Sequence, residues 1–140
     1  RSPGDLVDLN GKGKYSEPKF TWVLPVAPTG LKFFRSNNYG PEYKNDLFVG
    51  DANTGTIYHF KLNEARTSLL LTVPLDDKIA NNSDELNEII FAKGFGRITD
   101  LQVGADGNLY ILSSSGKGLS IDRIINFDPH SVRDTPLSIR

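Results

Sequence analysis

The sequence predicts an all-β fold of short antiparallel strands, and three observations carry that prediction. Apolar and polar residues alternate with a period of two in several short runs, the mark of strands with one buried face. Clusters of Gly, Asp and Asn separate the runs, and these make turns because Gly tolerates positive φ and Asp or Asn side chains cap their own backbone. The chain also repeats itself. Thr29-Gly30-Leu31-Lys32-Phe33 answers to Thr99-Asp100-Leu101-Gln102-Val103, and Asn45-Asp46-Leu47-Phe48-Val49 answers to Gly107-Asn108-Leu109-Tyr110-Ile111.

Each element follows from its residues. In the first ten, Leu6-Val7 and Leu9 make one short strand between turn residues. Gly11-Lys12-Gly13-Lys14 is a basic loop whose glycines lack the spacing of a phosphate cradle. In Pro18 to Pro25, Phe20, Trp22 and Leu24 share one face if the segment is extended. Trp22 reads as a packing anchor, with a sugar-stacking platform as the alternative. Ala27 to Phe34 is a strand opened by Pro and Gly, followed by a polar loop from Arg35 to Asn45. Asp46 to Gly50 is a strand, Asp51 to Gly55 a turn, and Thr56 to Leu62 a strand with Tyr58, Phe60 and Leu62 on one face and His59 and Lys61 on the other. After a turn at Asn63 to Arg66, Ser68 to Val73 is expected as the fourth strand of a meander.

Leu75 to Phe91 is acidic and polar. Leu86, Ile89 and Ile90 suit one face of a short helix capped by Ser83, and a strand from Glu88 to Ala92 is equally admissible. Asn81-Asn82-Ser83 is a glycosylation sequon, which by itself says no more than that the segment suits an exposed position. In the next unit Asp100 to Val103 alternates, Gly104 to Asn108 turns, and Leu109-Tyr110-Ile111-Leu112 is an apolar strand. Ser113 to Gly118 turns again, Leu119 to Phe127 is a third strand, and Asp128-Pro129-His130 ends it.

Composition narrows the function. With 140 residues, 38% hydrophobic residues and 13 glycines, the chain has the size and apolar content of one globular domain. A net charge of −1 with scattered Lys and Arg argues against nucleic-acid partners and an anionic membrane surface. No apolar run approaches the roughly 18 residues of a membrane span. Absence of Cys removes disulfides, thiolate metal sites and Cys nucleophiles together. The chain begins at Arg1 without a signal-like apolar region, which reads as a processed, excised or terminal piece of something longer.

The repeat, offset by 70 residues in its first strand and 62 in its second, suggests two β-propeller blades of four antiparallel strands each. Two unrelated hairpins in a sandwich are the alternative. The expected organisation is a partial strand and lead-in loop over 1–24, a blade over 25–74, an acidic and polar insertion over 75–94, a second blade over 95–128 and a tail over 129–140. Leu31, Phe33, Phe48, Leu101, Val103, Leu109 and Ile111 are expected between adjacent blades. Two blades do not close a ring of about 4–8. The expected partners are therefore the remaining blades of a longer chain, or further copies of this one, three of which would supply six blades.

Few residues carry chemistry. Asp51-x-Asn53-x-Gly55 places oxygens at alternate positions, as calcium loops do, but lacks the distal bidentate Glu and reads first as a hairpin turn. His59 and His130 are the only histidines, and neither has a neighbour at metal spacing. His59 reads as a surface or blade-packing residue. Asp76-Asp77 and Asp84-Glu85 read as solvated loop charge. No catalytic residue and no metal ligand is expected in this chain.

Three stretches together resemble a known family: Ala27 to Leu31 with Phe33-Phe34, Tyr43 to Gly50, and Arg97 to Leu112. They are similar to the last blades of glucose/sorbosone dehydrogenases, soluble six-bladed propellers that are usually exported to the periplasm or the exterior. The resemblance runs from about Ser16 to Ile124. It implies the C-terminal part of a PQQ-dependent sugar dehydrogenase that oxidises an aldose at C1, with PQQ and calcium as cofactors of the full-length protein. The family's catalytic His lies on an earlier blade, and no cofactor is expected on this chain alone. Arg97 matches the first Arg of an Arg-x-Arg pair whose cations face the PQQ carboxylates; Thr99 stands at the second, and Asn53 aligns with a Lys. A non-catalytic propeller module that has lost its cofactor is the alternative function, and a sugar is a possible ligand of either.

Overall fold

The computed structural model describes residues 11–13 and 15–125. The expected strand at Leu6 to Leu9, His130 and the tail lie outside the described residues. Strands β1 (Thr21–Trp22), β2 (Pro28–Phe33), β3 (Leu47–Asp51), β4 (Ile57–Phe60) and β5 (Ile79–Ala80) precede a one-turn helix, α1 (Ser83–Asn87). Strands β6 (Ile90–Ala92), β7 (Arg97–Val103), β8 (Leu109–Ser115) and β9 (Gly118–Arg123) follow it. They form a four-stranded sheet in the order β2-β3-β4-β6, a three-stranded sheet β7-β8-β9, and a parallel β1-β5 pair. Both larger sheets are antiparallel throughout. The fold is all-β, as the alternation predicts, and two blade-like sheets do not close a ring.

The repeat is visible in the backbone. Leu31 pairs with Val49 and Phe33 with Leu47; their equivalents Leu101 and Val103 pair with Ile111 and Leu109. A bulge falls at Thr29 in β2 and at Thr99 in β7. Each bulged threonine turns its hydroxyl onto the neighbouring strand: Thr29 Oγ1 is 3.3 Å from Gly50 O, and Thr99 Oγ1 is 3.1 Å from Leu112 O. The hairpin closures correspond as well, with Phe34 N donating to Asp46 O and Gly104 N to Asn108 O, both at 2.9 Å. A bulge inserts one residue and flips the side-chain phase. Ile98 and Leu101 are therefore both buried although three positions separate them.

One core lies between the sheets. Phe34, Tyr39, Phe48 and Ile57 of the first pack on Ile98, Leu101, Leu109, Ile111 and Ile124 of the second. Gly50 makes this approach possible, since a Cβ there would sit 2.5 Å from Ile98 Cγ2. A second core covers the opposite face of the first sheet, where Val49, Tyr58 and Phe60 meet Leu75, Ala80 and Ile89. Trp22 belongs to it as the packing anchor expected, 5.0 Å from the Phe20 ring and 6.0 Å from Phe60.

Four expectations need correction. The fourth strand of the first sheet is β6, not Ser68 to Val73. Ile90 and Ala92 occupy the β4 edge, so the Ser68–Val73 segment keeps only a Leu62–Leu69 bridge and leaves Leu70 and Val73 in solvent. Leu31 and Phe33 are exposed rather than buried between the sheets, because Gly30 of β2 and Phe34, just after it, take the side facing the second sheet. The helix and the strand offered as alternatives both form, in succession, and Asn82 rather than Ser83 is the cap, its side chain accepting from Asp84 N and Glu85 N. The second sheet has three described strands rather than four.

Candidate functional site

The candidate site is the rim where the β3–β4 turn meets the entry to β7. Asp51, at the end of β3, is fully buried and organises the turn. Its Oδ1 accepts from Ala27 N at 2.9 Å and Asn53 N at 2.8 Å, and its Oδ2 accepts from the Thr54 hydroxyl at 2.6 Å. These donors make Asp51 a turn residue, which is why Asp and not an apolar residue stands at a buried position. Tyr58 OH lies 3.5 Å from Oδ2. Burial, with the Asp51 charge second, pushes the Tyr58 phenol up to about 12.

Gly55 closes the turn at φ +66°, and a Cβ there would collide with the Phe95 carbonyl. Phe95 N donates to Gly55 O at 3.2 Å. The turn is thus seated on the segment that leads into Arg97. Arg97 is exposed at the head of β7. Among the described residues no hydrogen bond or ion pair engages its guanidinium. Thr99 turns its hydroxyl onto Leu112 O, and Asn53 Nδ2 donates to Pro25 O at 3.3 Å. The Arg97 guanidinium therefore faces solvent, whereas the Asn53 and Thr99 side chains are neutral and tied to backbone.

His59 is not a surface residue. Its Nε2 lies 2.9 Å from Asp46 Oδ2, and its ring packs 4.9 Å from Tyr43 and 5.1 Å from Phe48. Asp46 Oδ1 accepts from Leu62 N at 3.1 Å, so the pair ties β4 to the start of β3. Among the described residues no cluster of His, Cys, Asp and Glu is built to hold a metal.

Two polar clusters escape sequence reasoning, and both lock the sheets together. Tyr39, inside the polar loop, is buried and stacked 4.5 Å from Phe34. Its hydroxyl accepts from Leu109 N at 2.8 Å and donates to Ile124 O at 2.9 Å. Burial raises its phenol to about 12. The single aromatic between Asn38 and Gly40 was the available signal. At the β7–β8 turn, Asp106 accepts from Asn108 Nδ2, Tyr110 OH and Arg123 Nη1 at 3.0, 3.1 and 3.0 Å. Those donors, Asn108 foremost, hold its carboxyl down at about 2. Asn38 Nδ2 reaches the Asp106 carbonyl at 2.7 Å, joining this turn to the loop of the first sheet.

The glucose/sorbosone dehydrogenase family model matches residues 4–123. The chain belongs to the glucose/sorbosone dehydrogenase family. Searches of curated proteins and of solved structures return no match. In this chain the two sheets are the blade-like part of the match. No described helix is long and apolar enough to cross a membrane. Tested against the family's quinone cofactor, the rim is a partial fit. The exposed Arg97 guanidinium suits a carboxylate, as bidentate arginine chemistry does. Asn53 and Thr99 bring no charge, and the Asp51 oxygens are already filled by protein donors. One cation alone does not hold a quinone with several carboxylates.

Proposed function

We propose that this chain is the C-terminal part of an exported sugar dehydrogenase, in which the complete propeller oxidises an aldose at C1 with PQQ and calcium. Its own share is structural and electrostatic: two blades that set Arg97 on the rim as a partner for a cofactor carboxylate. The observation that carries this reading is Arg97, exposed at a rim built by the family-matched sheets. The neutral, backbone-tied Asn53 and Thr99 support a second reading, a propeller module that kept the fold and lost the cofactor.

Equilibrium dialysis of PQQ, with calcium present, against a full-length protein that contains this chain separates the two. The first reading expects salt-sensitive retention of PQQ that drops severalfold in Arg97→Ala. No retention by either protein leaves the second reading, and equal retention by the two shows that Arg97 is not the partner of the cofactor carboxylate. The chain alone is expected not to reduce dye with glucose, PQQ and calcium, because it lacks the matched base that supplies roughly 10²–10⁴-fold. Dye reduction above a protein-free control, abolished in Arg97→Ala, would place the whole site on this chain.

A further inference from the structure

Asn81-Asn82-Ser83 is the single Asn-x-Ser/Thr sequon of the sequence, and the function proposed above makes no use of it. All three residues are exposed, in the loop from β5 into α1. Capping falls on the middle residue. Asn82 Oδ1 accepts from Asp84 N and Glu85 N, both at 3.0 Å, and Asn82 Nδ2 donates to Glu85 Oε1 at 2.8 Å. Because Asn82 caps α1, among the described residues no hydrogen bond engages the Ser83 hydroxyl. Asn81 N and Nδ2 both donate to Glu85 Oε2, at 2.8 and 3.1 Å. A carboxamide nitrogen carries two hydrogens, so this contact occupies one and leaves the other to solvent.

We propose that Asn81 is an N-glycosylation site, modified from a polyprenyl-phosphate-linked oligosaccharide; the inference rests on the export proposed above. Asn81 Nδ2 forms a bond to C1 of the first sugar, the bond from that carbon to the phosphate oxygen breaks, and the proton lost from Nδ2 leaves with the lipid phosphate. The remaining Nδ2 hydrogen still serves Glu85, so the sugar and the hydrogen bonds of the loop coexist. Asn-x-Ser with x other than Pro is the acceptor pattern of this transfer. Its two outer residues are accessible because neither caps the helix. No residue of α1 is fully buried, so a transferase that draws out this segment exposes little core. A glycan is bulky and hydrophilic and needs a surface that no neighbour covers. The loop leads through α1 into β6, at the edge of the first sheet opposite β2. β2 is the edge that meets the second sheet, with Thr29 Oγ1 donating to Ile98 O and Lys32 Nζ to Gln102 Oε1. Propeller sheets stand radially around a channel. The β6 edge is then the outer one, and further blades leave it in solvent.

The test uses the full-length protein that contains this chain, produced in its native host and read by peptide mass spectrometry. Trypsin cuts after Lys78 and Lys93, so Ile79 to Lys93 is released as one peptide holding the sequon. The wild-type peptide is expected to be heavier by a whole number of sugar residues, with the added mass on Asn81. Asn81→Gln and Ser83→Ala are expected to lose that mass, and Ser83→Thr, which keeps a hydroxyl, to retain it. Circular dichroism and urea midpoints close to wild type confirm that the variants fold. A bare Asn81 in the wild-type protein overturns the proposal, and so does added mass that survives Ser83→Ala. Cell fractionation separates this failure from that of the export reading. A bare Asn81 on exported protein removes the glycan alone, whereas bare protein confined to the cytoplasm removes both. None of these readouts depends on Arg97 or on a cofactor.

Discussion

Tyr39→Phe removes one oxygen atom and leaves everything else at the sheet junction in place. The ring keeps its stack on Phe34, at 4.5 Å and nearly parallel. What is lost is the hydroxyl that accepts from Leu109 N and donates to Ile124 O. Leu109 is 0% exposed and Ile124 4%, so water does not replace the missing partner. A buried donor left unpaired costs about 1–3 kcal/mol, against about 0.5–1.5 kcal/mol for an ordinary hydrogen bond whose partners return to water. The expected loss is therefore about 2 kcal/mol, above the range of an ordinary hydrogen bond. Urea denaturation followed by circular dichroism measures it. The midpoint should fall while the slope m stays constant, because the variant exposes the same surface on unfolding. The same phenol predicts alkaline behaviour. Folded Tyr39 holds its proton up to about pH 12, whereas the unfolded chain releases it near pH 10. Between those values the folded state binds more protons, so stability is full below about pH 10 and falls as pH rises toward 12. Tyr39→Phe should flatten part of that fall. A midpoint shift within error of zero, with an unchanged alkaline slope, would mean that the hydroxyl does not bridge the sheets and that the junction has been misread.

Other perturbations probe the remaining parts. Leu101→Ala empties a fully buried position between the sheets and should cost about 2–5 kcal/mol in the same assay; a loss near zero would undo the register of β7. Gly50→Ala places a methyl against Ile98 and should cost about 1–3 kcal/mol by overpacking, whereas a neutral result would show the sheets further apart than described. Asp106→Asn should change acid stability. The folded carboxyl titrates at about 2, below its unfolded value, so its contribution is present above about pH 4 and is lost as pH falls toward 2. The variant should show a shallower decline over that window, and parallel curves for the two proteins would argue that the turn network does not stabilise the carboxylate.

The amino-acid sequence by itself determined the strand chemistry of this protein. Alternation and Gly, Asp or Asn turns set β2, β3, β4, β7 and β8, since both signals are local and each residue needs only its neighbours to express them. The repeat set the common register, because a period-two pattern that slips by one residue would bury its polar side. Asp51 was legible as a turn residue, and Arg97 stood out as a candidate only through the family resemblance. Tertiary structure decided the rest. Which apolar run joined β4 depended on competition between Ser68–Val73 and Ile90–Ala92 for one edge, a long-range choice invisible to either segment. Which face of β2 met the second sheet turned on Gly30 and Gly50, where a missing side chain permits close approach. A glycine carries no hydrophobic signal, so pattern reasoning assigned that face to Leu31 and Phe33 instead. Tyr39 and Asp106 acquire their roles from partners about 70 residues away. His59 likewise reads as an ordinary polar-face residue until the fold turns Asp46 toward it and encloses the ring in aromatic side chains.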